Sequence, residues 1–599
     1  MMRRMLIGAA VLLIGAPADA GNVQSIMAKY IAWRGGPAFE RMQVYAESGT
    51  IRQGSLQGTF SEWISRDGRF RLTSRLGPLE SDDGATPQMS WTTNISGQIE
   101  DGADGGRGDR RLVALAFAHA GGSYALRGKE SRQGRDWDVV RVQFGDSDVY
   151  DLFIDDKTGE LLGERITEDG KAHFVRYDDW HQVSGVRMPF VGHTAAANPT
   201  NDEDRKIDEI RIDPPLTAET FARPHSPRIW QFAAGHTSTG WLAFEFHNNI
   251  EIFIPAKVDG HSLSLLLDSG AGISVLDSTF AKGAGISTAG RLGLSGTGGQ
   301  STMDLAPNIE IALGGLTLRH ITAGVVDLSA VSAAVANPMP FVLGREAFDQ
   351  LVIDIDFRNH RIAFREPDNF SAPPGAVRVP IGEHEGKRTV PVSVDGAAPV
   401  PFDFDLGNDS PLIVYSAYRD RAHLMDGRPQ SLELAGGVGG INTIRIASVS
   451  SIELAGVRLG NVPTDFPDAA NNSLTYERTA GNIGLPVFTR FRLITDYPHD
   501  AIWLVPDSTA ITEPFPRDRS GLIAQRIGNR LKVLLVAPGS PAAKAGWKNN
   551  EEISAVNGEK IGSDFGKSKE AHWSRGPAGM VVTLTMPDGT ARKLTLADY

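Results

Sequence analysis

Two aspartates in this chain are framed in a way that could do chemistry. Asp268 ends the apolar run Leu265-Leu-Leu and is followed by Ser269-Gly270-Ala271, and Asp405 ends Phe402-Asp-Phe and is followed by Leu406-Gly407-Asn408. A carboxylate at the end of a buried strand, with glycine two residues later, is held at a tight turn. The glycine lets the backbone fold back closely, and the strand anchors the turn in a core. Two such carboxylates brought together cannot both ionise, so one keeps its proton while the other acts as base. Those two roles activate water without a metal or an acyl-enzyme. Asp403 lies two residues before Asp405 on the same strand face, but the Asp-x-Gly-Asn context favours Asp405.

Other chemistries find no support. There are no cysteines, which excludes thiol nucleophiles, thiolate metal sites and disulfides. The 14 histidines show no His-Glu-x-x-His spacing and no Gly-x-Ser-x-Gly elbow occurs, so neither a metal nor a cofactor is expected. Gly562-Ser-Asp-Phe-Gly-Lys-Ser568 is one residue short of a phosphate-binding loop. A net charge of -12 without a basic stripe argues against a nucleic-acid partner.

The elements that must position the aspartates are written twice. Phe348–Phe364 aligns without gaps to Phe488–Leu504, placing Asp356 on Asp496, and Ile309-Glu-Ile-Ala-Leu-Gly-Gly315 matches Ser451-Ile-Glu-Leu-Ala-Gly456. Asp268 and Asp405 open the two copies, 137 residues apart, room for one small β lobe between them. A glycine loop follows each, Gly296, Gly298 and Gly299 in the first copy and Gly437, Gly439 and Gly440 in the second.

Leu265-Leu-Leu-Asp268-Ser269-Gly270-Ala271 with the later Phe341-Val-Leu-Gly344 resembles the retropepsin and pepsin families. The resemblance implies two tandem acid-protease lobes, at 240–368 and 372–508, sharing a dyad of Asp268 and Asp405. It implies supporting roles for Ser269, Gly270, Ala271, Gly344, Gly407, Asn408 and Gly484, glycine-tipped flaps over an extended polypeptide substrate, and aspartic endopeptidase activity. The second lobe departs from the pattern. Leu406 stands where the family carries a hydroxyl, and Asn482-Ile-Gly484 puts a polar residue in an apolar slot. The competing expectation is therefore a catalytically inactive bilobal scaffold that binds peptides or lipoproteins.

The chain flanks this core with three further segments. Met1–Ala20 combines Arg3-Arg4, an apolar run to Gly15 and Ala18-Asp-Ala20, the pattern of a cleavable signal peptide. It predicts a periplasmic or secreted protein without a transmembrane segment in its mature form. Val23, Ile26, Met27, Tyr30 and Ile31 share one face of a helix that Asn22 would cap and Gly35-Gly36 would end. Short alternating segments then predict an antiparallel sheet over about 50–211. Helix plus strands over 21–225 loosely resembles the lipoprotein-carrier fold, a half-barrel, which implies a groove for an acyl chain or apolar peptide. From 516 to 599, Ser520-Gly-Leu-Ile-Ala524, Pro538-Gly-Ser-Pro and Ile553-Ser-Ala-Val-Asn-Gly558 resemble a PDZ domain. That resemblance implies C-terminal peptides as partners, held by the amides of Gly521, Leu522 and Ile523 and added as a strand beside a helix near 563–573 that Gly562–Ser568 would start. With 41% hydrophobic and 22% charged residues, packed domains are expected, and the fold class is mainly β.

Overall fold

The computed structural model describes residues 20–599 apart from 103–115, 120, 145–147, 169–170, 197, 248–249, 297–298, 336, 385, 438–439 and 469–478. The proposed signal peptide up to residue 19 and the flap glycines Gly298 and Gly439 lie outside the described residues. The chain is mainly β. It divides into two compact units, one comprising residues up to Leu76, Glu80–Thr92 and Asp101–Pro224, the other Gly77–Leu79, Thr93–Glu100 and His225–Tyr599.

In the first unit the helix Ala20–Arg34 buries Val23, Ile26 and Tyr30. It starts before Asn22, which sits inside the helix rather than capping it. Gly35, at φ 134°, ends it, a conformation that residues with a side chain rarely adopt. A thirteen-stranded sheet follows as a meander whose first long strand, Val44–Gln53, pairs antiparallel with both Leu56–Ser65 and the last, Glu203–Ile212. Between helix and sheet lies an apolar cavity of about 290 Å³ lined by Val23, Met27, Ile31, Phe117, Tyr150 and Leu152.

The second unit shows why the repeat exists. The first copy forms a nine-stranded sheet and the second an eight-stranded one, and each sends three strands into a common six-stranded sheet, Leu242–Ala243, Val352–Asp356 and Arg361–Arg365 from the first and Val377–Pro380, Phe491–Asp496 and Ala501–Pro506 from the second. There Val352–Asp356 pairs antiparallel with Phe491–Asp496, with Asp354 opposite Ile494, Ile353 opposite Thr495 and Ile355 opposite Leu493. In the gapless alignment Asp354 and Ile494 are each other's counterparts, so the register requires an approximate two-fold axis through that pair. The turns after the two strands also correspond: His360 and Asp500, equivalent in the repeat, both take the left-handed conformation. Asp354, itself buried, accepts from Arg492 Nε at 2.9 Å across the junction and from Arg365 Nη2 at 3.0 Å on its own side.

The C-terminal segment carries a three-stranded sheet (Leu522–Ile527, Arg530–Val536, Glu552–Ile553) and a four-stranded one around Val533, Trp547, Val556 and Leu584. The helix expected near 563–573 is not there. Two 3-10 turns, Phe565–Lys567 and Trp573–Arg575, replace it. Gly566 and the serines at 563 and 568 are weak helix formers, and so short a segment does not offset the cost of nucleation. Among the described residues no helix is long and apolar enough to cross a membrane.

Candidate active site

Each aspartate leaves a central strand of its lobe. His261–Leu267 runs parallel to Phe341–Leu343, and the Asp268 amide continues that ladder to the Leu343 carbonyl at 3.0 Å. Val400–Asp405 runs parallel to Gly481–Gly484 in the same arrangement. Leu265, Leu267, Phe402 and Phe404 are fully or almost fully buried. Each such side chain contributes about 1.5–3 kcal/mol to holding its strand. Gly344 and Gly484 lie under the active loops. A Cβ on Gly344 would stand 2.7 Å from the Ile273 carbonyl carbon, and one on Gly484 would stand 2.1 Å from the Ser410 oxygen. Only glycine lets the second strand pass this close.

The two turns face each other. The Gly270 amide donates to Asp268 Oδ1 at 2.8 Å, and the Gly407 amide to Asp405 Oδ1 at 2.9 Å. Each glycine also faces the opposite carboxylate: a Cβ on Gly270 would lie 2.4 Å from Asp405 Oδ1, and one on Gly407 would lie 2.4 Å from Asp268 Oδ1. This reciprocity is the same two-fold relation seen in the six-stranded sheet. The half-buried carboxyls share a hydrogen bond. Burial first, and the charge of Asp405 second, push the Asp268 carboxyl up to about 8. At neutral pH Asp268 thus keeps its proton, as the acid of an acid–base pair of carboxyls must.

The link between the lobes is one-sided. Ser269 Oγ accepts from the Leu406 amide at 3.0 Å and reaches the Phe404 carbonyl at 3.5 Å. Leu406 has no hydroxyl to return the contact and is instead buried in the core. A different device serves Asp405. Asn482 Nδ2 donates to Asp405 Oδ2 at 2.8 Å, and Asn408 Nδ2 donates to Asn482 Oδ1 at 2.8 Å. The polar residue in the apolar slot is therefore a ligand of the carboxylate, which sequence reading treated as a sign of decay. The signal was available, because Asn482 aligns with Val342 and Asn408 with Ala271.

Asp403 is kept out of the pair. It accepts from the Tyr415 hydroxyl at 2.8 Å and lies 3.7 Å from Lys387, with burial pushing its carboxyl up. Ala271 accepts from the Arg345 amide through its carbonyl. A support that the sequence did not announce is Glu346. Its buried carboxylate takes the Ser274 amide at 2.8 Å and the Ser274 hydroxyl at 2.9 Å, while Ser274 Oγ accepts from the Gly344 amide at 3.0 Å. Gly296 pairs with Gly299, and Gly437 with Gly440, at the ends of the hairpins Arg291–Gly296/Gly299–Leu313 and Ser431–Gly437/Gly440–Leu454.

In the C-terminal segment the amides singled out for a peptide carboxylate are engaged by the chain itself. Gly521 N donates to Asp518 Oδ2 at 2.6 Å and Leu522 N to Ser520 Oγ at 3.0 Å, while Ile523 lies opposite Leu535 in the sheet. Asp518 also accepts from Ser520 Oγ and the Tyr599 hydroxyl, each at 2.8 Å. A carboxylate does fill this loop, but an internal one.

No curated protein matches the chain. Three solved structures are similar to part of it, each covered over 97% of its own length and covering 34% of this chain. They are a DUF1329 family protein from Desulfovibrio piger (12% identity, TM-score 0.25), a putative outer membrane lipoprotein-sorting protein domain from Vibrio parahaemolyticus (10%, 0.24) and a LolA superfamily protein from Nitrosomonas europaea (14%, 0.25). Residues 254–347, which hold Asp268 and Gly344, match the aspartyl protease family and form an aspartyl protease-like region of this chain.

Proposed function

We propose that this protein is an exported aspartic endopeptidase whose dyad is Asp268 and Asp405. The observation that carries the reading is the reciprocal approach of each turn glycine to the other lobe's carboxylate. In the reaction the ionised carboxylate takes a proton from a water held between the pair, and the oxygen attacks the peptide carbonyl carbon. The protonated partner gives its proton to the carbonyl oxygen. Collapse of the tetrahedral adduct breaks the C–N bond as the nitrogen takes up a proton, releasing a new carboxyl and a new amine. Glycine-tipped hairpins suit closure over an extended polypeptide.

The flanking segments fit substrate capture. The C-terminal segment is a PDZ-type module for C-terminal peptides, and the apolar cavity of the first unit suits an acyl chain or apolar peptide. Leu406 favours a second reading, a non-catalytic scaffold, because half of the hydroxyl lock between the loops is missing.

The test is cleavage of an unfolded protein across acidic to neutral pH, with Asp268→Asn, Asp405→Asn and a hydroxyl-bearing transition-state analogue. Either substitution is expected to lower the rate by roughly 10²–10⁴-fold or more. Pure wild type that cleaves nothing at any pH supports the scaffold. Loss with Asp268→Asn alone points to a dyad made by first lobes of two molecules.

A further inference from the structure

The turn amides of the dyad correspond, Gly270 to Asp268 and Gly407 to Asp405, with the Ala271 amide also favouring the charged form of Asp268, but the side-chain donors are asymmetric. Asp405 receives Asn482 Nδ2 at 2.8 Å in addition to its turn amide, and Asn482 is itself oriented by Asn408. The repeat places Val342 and Ala271 at the corresponding positions of the first lobe, neither with a side-chain donor to offer Asp268. Asn482 is buried and sits on the strand that pairs with the Asp405 strand, with Asp403 opposite it in the ladder, so its amide is held in place by main chain as well as by Asn408.

We infer that the Asn408–Asn482 pair assigns the two roles in the dyad, holding Asp405 as the ionised base and leaving Asp268 as the proton-bearing acid. Asn482 is a positioning residue that acts through Asp405. A hydrogen bond to the charged form of a carboxyl favours that form, and with one proton shared between two neighbours any such bias decides where it rests. The other charges facing Asp405 do not supply the bias. Asp268 across the dyad, Asp403 on the same strand and Asp409 on the same loop all oppose its ionisation. Lys387 and His384 lie beside Asp403, and Arg575 acts on Asp409. The direction in which Asp268 is shifted agrees with its being the acid.

This inference rests on the dyad of the proposed function, but its test does not need turnover. Carboxyl carbons of aspartate are labelled with ¹³C in the full chain and titrated by NMR, with Asp268→Asn and Asp405→Asn giving the assignments. In wild type the Asp405 carbon is expected to move in the acidic transition and the Asp268 carbon in the later one. Asn482→Val, which installs the first lobe's own residue, should raise the acidic transition by about one to two pH units. Asn408→Ala should move it the same way by less. Val342→Asn combined with Asn482→Val should exchange the order of the two carbons. Unchanged titrations in a folded Asn482→Val, or in Asn408→Ala if the former does not fold, overturn the assignment. A wild type without peptidase activity sinks the proposed function and leaves the titration decisive for the proton's place.

Discussion

The chemistry turns on a few atoms whose identity cannot vary. A Cβ at position 270 or 407 would occupy the place of the opposite carboxylate. Gly270→Ala and Gly407→Ala are therefore expected to abolish cleavage even where the fold survives, which circular dichroism alongside a peptidase assay would resolve. Asp268 carries a stability signature of its own. The folded chain holds its proton up to about pH 8, whereas an ordinary aspartate releases it near 3.8. Across that window the folded state binds more protons than the unfolded one, so stability falls as pH rises through it. Asp268→Asn removes this dependence. It should melt roughly 2–8 °C above wild type at about pH 7.5 and close to wild type at about pH 4. A variant that melts below wild type at both pH values would contradict the raised carboxyl.

Among the elements, the paired parallel strands hold the site. Gly344 sits against the backbone of Ala271 to Ser274, and Glu346 ties the same loop through Ser274. Gly344→Ala forces backbone apart and should cost about 1–3 kcal/mol or more in chemical denaturation. The C-terminal loop invites a separate measurement. Asp518 occupies the Gly521 amide, so a peptide carboxylate must displace it and work against its charge. Asp518→Ala is expected to strengthen binding of peptides with a free C-terminus about tenfold or more in a fluorescence titration, since it removes both competitor and repulsion. Unchanged binding, or none, would show that this loop does not hold a peptide carboxylate. The PDZ resemblance implied a helix at 563–573 that the chain does not form, because apolar residues such as Phe565 and Trp573 can be buried by isolated turns as well as by a helix.

At the scale of the whole chain, the two lobes of the second unit are joined by strands that cross at their own counterparts. Asp354 sits at that crossing with Arg365 on one side and Arg492 on the other. Asp354→Ala leaves two partly exposed cations without their shared buried anion and is expected to cost about 1–3 kcal/mol. Activity should fall with it, since the dyad exists only while the lobes stay in register. Equal stability of mutant and wild type in denaturant would remove the clamp from the account. The duplication, the strand-Asp-x-Gly turns and the glycine under the first loop are legible in the residues alone, because local spacing and apolar pattern encode them. Leu406 is legible in the same way as a missing hydroxyl. Contacts between distant strands settle that Ser269 holds the lobes from one side, that Asp403 is taken by Tyr415, and that Asn482 serves Asp405 instead of simply departing from the pattern. Those facts depend on which side chains meet across strands tens of residues apart in the chain. A polar residue in an apolar slot has the same spelling whether its partner is absent or waiting 77 residues upstream.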